Sequence, residues 1–126
     1  MQHRRRQGCG CYQERQSRWL EPTILFLLWD QWKHGYELMS ELPQFGFLAG
    51  PADPGAIYRT LRHLEGAGLV SSRWDTSGSG AAKRIYTLSQ NGKKHLRLWA
   101  ESLRNRRDSL NNFLSHLQSL FPDSTG

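Results

Sequence analysis

The stretch Asp53–Leu69, DPGAIYRTLRHLEGAGL, reads as one short helix with two chemically opposite faces. Asp53 is a favourable N-cap, and Pro54 sits at the first helical position, where a missing N–H costs nothing. Ile57, Leu61 and Leu64 recur at helical spacing and are expected to face a core. Arg59, Arg62 and His63 point mostly the other way. Gly66 and Gly68 end the helix, because glycine accepts the left-handed backbone of a C-terminal cap. A cationic helix face of this size fits a DNA major groove, where arginine reads guanine edges and holds phosphates. Taken alone, the helix reads first as a solvated basic surface, and its neighbours change that reading.

On its N-terminal side, Tyr36–Leu42 is predicted to be a short helix with Leu38, Met39 and Leu42 inward, stopped by Pro43. The loop at 44–52, QFGFLAGPA, is expected to tuck its apolar residues back onto the core. The two helices then form a helix-turn-helix with a long connection. Further upstream, Trp19–Lys33 reads as a helix, with Leu20, Ile24, Leu27, Leu28 and Trp32 near helical spacing and Leu25, Phe26 and Trp29 widening the stripe. A helix apolar on so many sides is expected to be largely buried, or shared with a second subunit. His34 and Gly35 form the break.

On the C-terminal side, Leu69–Trp74 and Lys83–Leu88 have strand-forming residues and flank the small, polar segment DTSGSGAA, which predicts a two-stranded hairpin. Val70 with Trp74, and Tyr86 with Leu88, are the expected core-facing pairs. Ser89 then caps a helix from Gln90 to about Phe121, roughly 45 Å long at about 1.5 Å per residue. Leu96, Leu103, Leu110 and Leu117 repeat every seventh residue, with Trp99, Arg106, Phe113 and Leu120 as the companion series. This is an a/d heptad stripe with one polar member, expected to pair with a second subunit's helix; packing against the chain's own first helix is the alternative.

The 126 residues fit one domain with an appendage, and the formal charge of +6 favours an anionic partner, nucleic acid before an acidic membrane. The longest apolar run, Thr23–Trp29, is far short of the ~20 residues that cross a bilayer, and no signal-peptide pattern follows the N-terminal arginines. The expected location is cytoplasmic. Residues 1–18 carry Arg4, Arg5, Arg6, Arg15 and Arg18 against one acid, Glu14, and are expected to be a mobile arm that contacts phosphates or aids solubility.

The order of elements is that of a winged helix with a C-terminal dimerisation helix: mainly α, with a small two-stranded β wing. The expected divisions are a basic arm at 1–18, a winged-helix domain at 19–88, a dimerisation helix at 89–121 and a tail at 122–126. Three linked motifs resemble the PadR-like transcriptional regulators. HGYELMSEL (His34–Leu42) resembles that family's second-helix entry, and PGAIYRTLRHLEGAGLV (Pro54–Val70) resembles its GxxYxxLxxLExxGLV signature, with Gly55, Tyr58, Leu61, Leu64 and Glu65 in place. WDTSGSGAAKRIYTLSQNGKKHL (Trp74–Leu96) resembles its wing and the start of its last helix. The resemblance spans roughly residues 20–105 and implies a homodimeric repressor that leaves its operator on sensing a ligand or stress. Many members have proline where Arg59 stands and arginine or lysine where His63 stands, so base contacts at those two positions do not follow from the family.

The candidate DNA-contacting residues are Tyr58, Arg59, Thr60, Arg62, His63, Lys83 and Arg84, with Tyr58, Lys83 and Arg84 assigned to phosphates and the others to the groove. For Tyr58 the rival role is a core residue with a wet hydroxyl. Glu65 would repel phosphate and is expected to pair with a basic neighbour. Trp29, Trp32, Trp99 and Phe113 are candidates for a pocket taking a small aromatic ligand, with ordinary packing as the competing explanation. Cys9 and Cys11, one residue apart among arginines, are candidates for redox activity or metal ligation, although two thiolates do not complete a zinc site. No cofactor is expected. The chain carries no GxxxxGK, HExxH or GxSxG, and its five histidines are scattered, so an enzyme is not expected. Two other functions compete: a thiol- or metal-responsive sensor on the same scaffold, and a winged-helix module that docks an acidic protein.

Overall fold

The computed structural model describes residues 19–45 and 53–122. The arm with Cys9 and Cys11, the loop residues 46–52 and residues 123–126 lie outside the described residues. Helix α1 covers residues 19–27. It is followed by strand β1 (Lys33–His34), helix α2 (Gly35–Glu41) with a 3-10 turn at Leu42–Gln44, helix α3 (Pro54–Gly66), strands β2 (Val70–Asp75) and β3 (Lys83–Leu88), and helix α4 (Gln90–Gln118). The chain divides into two units, Met1–Leu96 and Arg97–Gly126.

In the first unit, Ile24, Leu25 and Leu28 from the α1 segment, Leu38 and Leu42 from α2 and its turn, and Ile57, Leu61 and Leu64 from α3 are fully buried. Each such side chain contributes about 1.5–3 kcal/mol of transfer free energy, so this three-helix contact is the core. Helix α1 ends earlier than the apolar stripe predicts. After residue 27 the chain turns, Asp30 takes a left-handed φ of 54°, and Lys33–His34 leaves the helix to pair with β3. The cause is tertiary: the Leu28 carbonyl accepts the Gln31 N–H of the local turn at 3.2 Å and the Leu88 N–H of β3 at 3.1 Å. Trp29 and Trp32 are consequently exposed, at 40% and 41%, rather than buried with the rest of the stripe, and Phe26 inside α1 is also exposed, at 57%.

The sheet is antiparallel in the order β1-β3-β2, so β1 adds a third strand to the expected hairpin. Val70 pairs with Leu88 and Ser72 with Tyr86, which places Val70, Tyr86 and Leu88 on one buried face. Trp74 belongs to that face by register but lies beyond the core, 58% exposed. Ile85 is buried on the opposite face, directly across from His34.

The turn out of α3 is a Schellman motif: Gly68 adopts φ 79°, its N–H donates to the Glu65 carbonyl, and the Leu69 N–H donates to the Leu64 carbonyl at 2.9 Å. The Ser89 hydroxyl accepts the Gly92 N–H at 3.0 Å and caps α4. The first turns of α4 are pinned to α1 and the turn after it, by Lys93 to Asp30 at 2.7 Å and by His95 to Glu21 at 2.8 Å. In the second unit, residues 97–118 continue as helix, and Leu103, Leu110 and Phe113 of the heptad series are exposed together with Leu98 and Leu114.

Candidate nucleic-acid interface

The solvent side of α3 is cationic, as its sequence requires. Asp53 caps the helix by accepting the Gly55 N–H at 3.2 Å, Pro54 starts it, and the buried Ile57, Leu61 and Leu64 set its rotation. Arg59, Arg62 and His63 are exposed and Thr60 is half-buried. Arg59, Thr60 and His63, with Ala56 and Glu21 of α1, line a shallow cleft of about 260 Å³. The Arg59 guanidinium lies 4.0 Å from the Asp53 carboxylate. Arg62 has no ion-pair partner among the described residues and is the less constrained of the two arginines.

Tyr58 stands on the edge of this surface, half-buried, with its ring on Gly35 at the start of α2. A β-carbon at Gly35 would come within 2.5 Å of that ring, so the glycine of HGYE and the tyrosine of the α3 signature are one contact. Tyr58 therefore carries a packing role whatever its hydroxyl touches.

The wing places its two basic candidates differently. Lys83 is exposed, its Nζ 5.1 Å from the centre of the Tyr36 ring. Arg84 is tied back: its Nε donates to Ser72 Oγ at 3.1 Å, its guanidinium lies 3.6 Å from Glu65 and 5.0 Å from the Trp74 ring, and Ser72 donates to Glu65 at 2.6 Å. Glu65 thus has its basic partner, and Arg84 presents only part of its charge outward.

A cluster beside the outer end of the wing strands carries no expectation from sequence. His34 lies between two carboxylates: Nδ1 is 3.1 Å from Glu37, and Nε2 is 3.1 Å from Asp75 of β2. Glu37 also accepts the His34 N–H at 2.6 Å, the main cause of a carboxyl held below its ordinary range. Asp75 is lowered chiefly by the Ser77 hydroxyl, then by the Ser77 N–H. Tyr36 stacks on His34 with ring centres 5.1 Å apart. The HGYE motif was the only signal for this cluster, and it says nothing of Asp75, 41 residues away.

Of the tryptophan candidates, Trp32 carries the Arg73 guanidinium 4.1 Å from its ring centre and Trp29 carries Lys93 Nζ at 4.8 Å. Trp99 and Phe113 belong to the second unit. Among the described residues no cluster of three or more metal-ligating side chains occurs, and no helix is long and apolar enough to cross a membrane.

The sequence model of the transcriptional regulator PadR-like family matches residues 24–98, more than half of the chain. The chain belongs to the PadR-like family. Solved structures similar to this PadR-like regulator include TM0937, a conserved protein of unknown function and potential transcriptional factor, with 33% identity and a TM-score of 0.74 over 86% of this chain and 95% of that one. The putative transcriptional regulator TA0346 of Thermoplasma acidophilum is 28% identical, with a TM-score of 0.67 over 79% and 93% of the two chains. Bacillus subtilis PadR, solved in complex with operator DNA, is 30% identical, with a TM-score of 0.57 over 64% of this chain and 46% of that one. No match was found among the curated proteins. The family match spans the α3 surface and the wing, so the candidate interface of this PadR-like regulator lies wholly within the shared region.

Proposed function

We propose that this PadR-like regulator binds duplex operator DNA as a homodimer and acts as a repressor released by a ligand or stress signal. The observation that carries the reading is the exposed Arg59–Arg62–His63 face of α3, set by three fully buried residues on the helix's other side. In this reading α3 enters the major groove, with Arg59, Thr60, Arg62 and His63 toward the bases, and Lys83 holds backbone phosphate beside it. Tyr58 and the outer edge of Arg84 add phosphate contacts. The operator complex of the Bacillus subtilis relative supports the choice of DNA over an acidic protein partner.

A second copy of the chain covers the heptad stripe of α4: Leu96, Trp99, Leu103, Arg106, Leu110, Phe113, Leu117 and Leu120. The exposure of Leu103, Leu110 and Phe113 in the single chain supports this assignment, since surface patches of this kind mark interfaces. A small aromatic ligand is the proposed release signal, read by tryptophan quenching.

Selection of bound fragments from a random duplex pool tests the function. The expected product is a pseudo-palindrome with half-sites about one helical turn apart. Failure to enrich any sequence over nonspecific duplex, with heparin displacing all bound DNA equally, would instead favour the protein-docking module.

A further inference from the structure

We propose that His34 is a positioning residue for DNA binding: clamped between Glu37 and Asp75, it ties wing strand β2 to the first turn of α2 and makes the wing's hold on DNA depend on its protonation. The inference rests on the DNA-binding reading above and adds a regulatory property to it.

The geometry is closed on both sides of the ring. Glu37 Oε1 is fixed by the His34 N–H at 2.6 Å, and it is the same oxygen that faces Nδ1 at 3.1 Å. Asp75 Oδ1 is fixed by the Ser77 N–H at 3.1 Å and the Ser77 hydroxyl at 2.6 Å, which leaves Oδ2 facing Nε2 at 3.1 Å. Each carboxylate is therefore held in place by a second donor. A neutral imidazole has one N–H and satisfies one carboxylate; the other then meets a nitrogen lone pair. The imidazolium donates to both. The doubly bonded clamp accordingly exists only in the charged ring, and loss of the proton releases one of its two ends.

The surrounding charges do not replace it. The cations nearby are engaged elsewhere: Lys33 of β1 donates to Glu41 at 3.1 Å, Arg73 of β2 lies over Trp32, and Lys83 of β3 lies over Tyr36. From α2 come Glu37 and the stacked Tyr36, and from β2 comes Asp75. Asp75 is also the register partner of Lys83, so the clamp acts at the pair of residues from which the wing tip departs. Its end at Asp75 positions Lys83, which is exposed.

The test is a set of fluorescence-anisotropy titrations of full-length protein on the duplex recovered by selection, at constant ionic strength and at about pH 6, 7 and 8. The wild type, His34→Gln, Asp75→Asn and His63→Gln are compared. His63→Gln is needed because a proton on that exposed α3 side chain also attracts DNA. The wild type and His63→Gln are expected to lose roughly three- to tenfold in affinity from the lowest to the highest pH, within the limit of tenfold per pH unit for one coupled proton. In His34→Gln and Asp75→Asn, each built on His63→Gln, the profile flattens, and the affinity at the lowest pH matches that of His63→Gln at the highest. Thermal unfolding checks that both variants fold; Asp75→Asn keeps the Ser77 turn if His34→Gln proves unstable. A wild-type slope retained in His34→Gln and in Asp75→Asn overturns the inference, as does a flat wild-type profile at intact affinity. Absence of DNA binding at every pH sinks the DNA reading itself and this inference with it.

Discussion

Replacing Arg59 and Arg62 together by alanine should weaken operator binding about a thousandfold while leaving the fold intact. Both side chains leave the solvent side of α3, opposite Ile57, Leu61 and Leu64, so their truncation opens no cavity. The Arg59–Asp53 pair is 4.0 Å long between side chains 67% and 68% exposed, and its loss costs at most a few tenths of a kcal/mol. The cap from Gly55 to Asp53 remains, so the melting temperature should stay within about 2 °C of the wild type. Each arginine that reaches a guanine edge contributes about 1–3 kcal/mol. In the proposed homodimer two arginines in each subunit make four contacts, so the low end is about 4 kcal/mol, or three decades at about 1.4 kcal/mol per decade. If all four meet phosphate instead, the slope of log affinity against log salt falls by roughly 3.6, at about 0.9 per contact. The single variants should differ: Arg59 must leave Asp53 to bind, whereas Arg62 has no such competitor, so Arg62→Ala should lose more. Anisotropy titrations at several salt concentrations read all of these quantities. A double variant with wild-type affinity and wild-type salt slope would refute the groove assignment of α3.

Three further outcomes follow from particular contacts. Gly35→Ala forces a β-carbon against the Tyr58 ring and should lower stability by about 1–3 kcal/mol, seen as a fall of roughly 5 °C or more in thermal unfolding; Gly35→Ala with Tyr58→Leu should recover much of it, and no recovery would mean the strain lies elsewhere. Leu103→Asp with Leu110→Asp should convert the proposed dimer to a 14.6 kDa monomer by sedimentation, and an unchanged dimer mass would remove the α4 stripe as the interface. The lowered carboxyls of Glu37 and Asp75 favour the folded state when ionised; their contribution is complete above the ordinary carboxylate range of about 4 and is lost as pH falls through their lowered values. Melting curves between about pH 5 and pH 3 should therefore drop more steeply for the wild type than for Glu37→Gln with Asp75→Asn, and equal slopes would contradict the assignment.

Much of the frame is written in short-range pattern. The Asp53–Pro54 start of α3, the Ile57–Leu61–Leu64 spacing and the Gly68 turn each involve residues within a few positions of one another, and all three stand as read. The strand bounds at Lys83–Leu88 and the Ser89 cap are equally local. The end of α1 was not legible. The apolar stripe runs on through Trp29 and Trp32, but the chain leaves the helix because Leu28 is hydrogen-bonded to β3 and Lys33–His34 pair with a strand some fifty residues later. Ile85 was missed for a related reason. Alternation shows which residues share a face of a strand, not that β1 will occupy the edge across from it.

Taken alone, the amino-acid order determined a cationic α3 with an apolar back, a hairpin after it, a heptad helix at the end, and membership in a recognisable family of regulators. Helical and strand periodicity and terminal capping are properties of neighbouring residues, and a linear chain displays them directly. Which charges remain available was decided only by the fold. Arg84 is drawn onto Glu65 and Ser72, Lys83 stays exposed, Arg59 is half-engaged by Asp53, and His34 is enclosed by Glu37 and Asp75. An ion pair or hydrogen bond acts over a few ångströms and is indifferent to separation along the chain, so these partnerships form only once α2, α3 and the sheet have packed together.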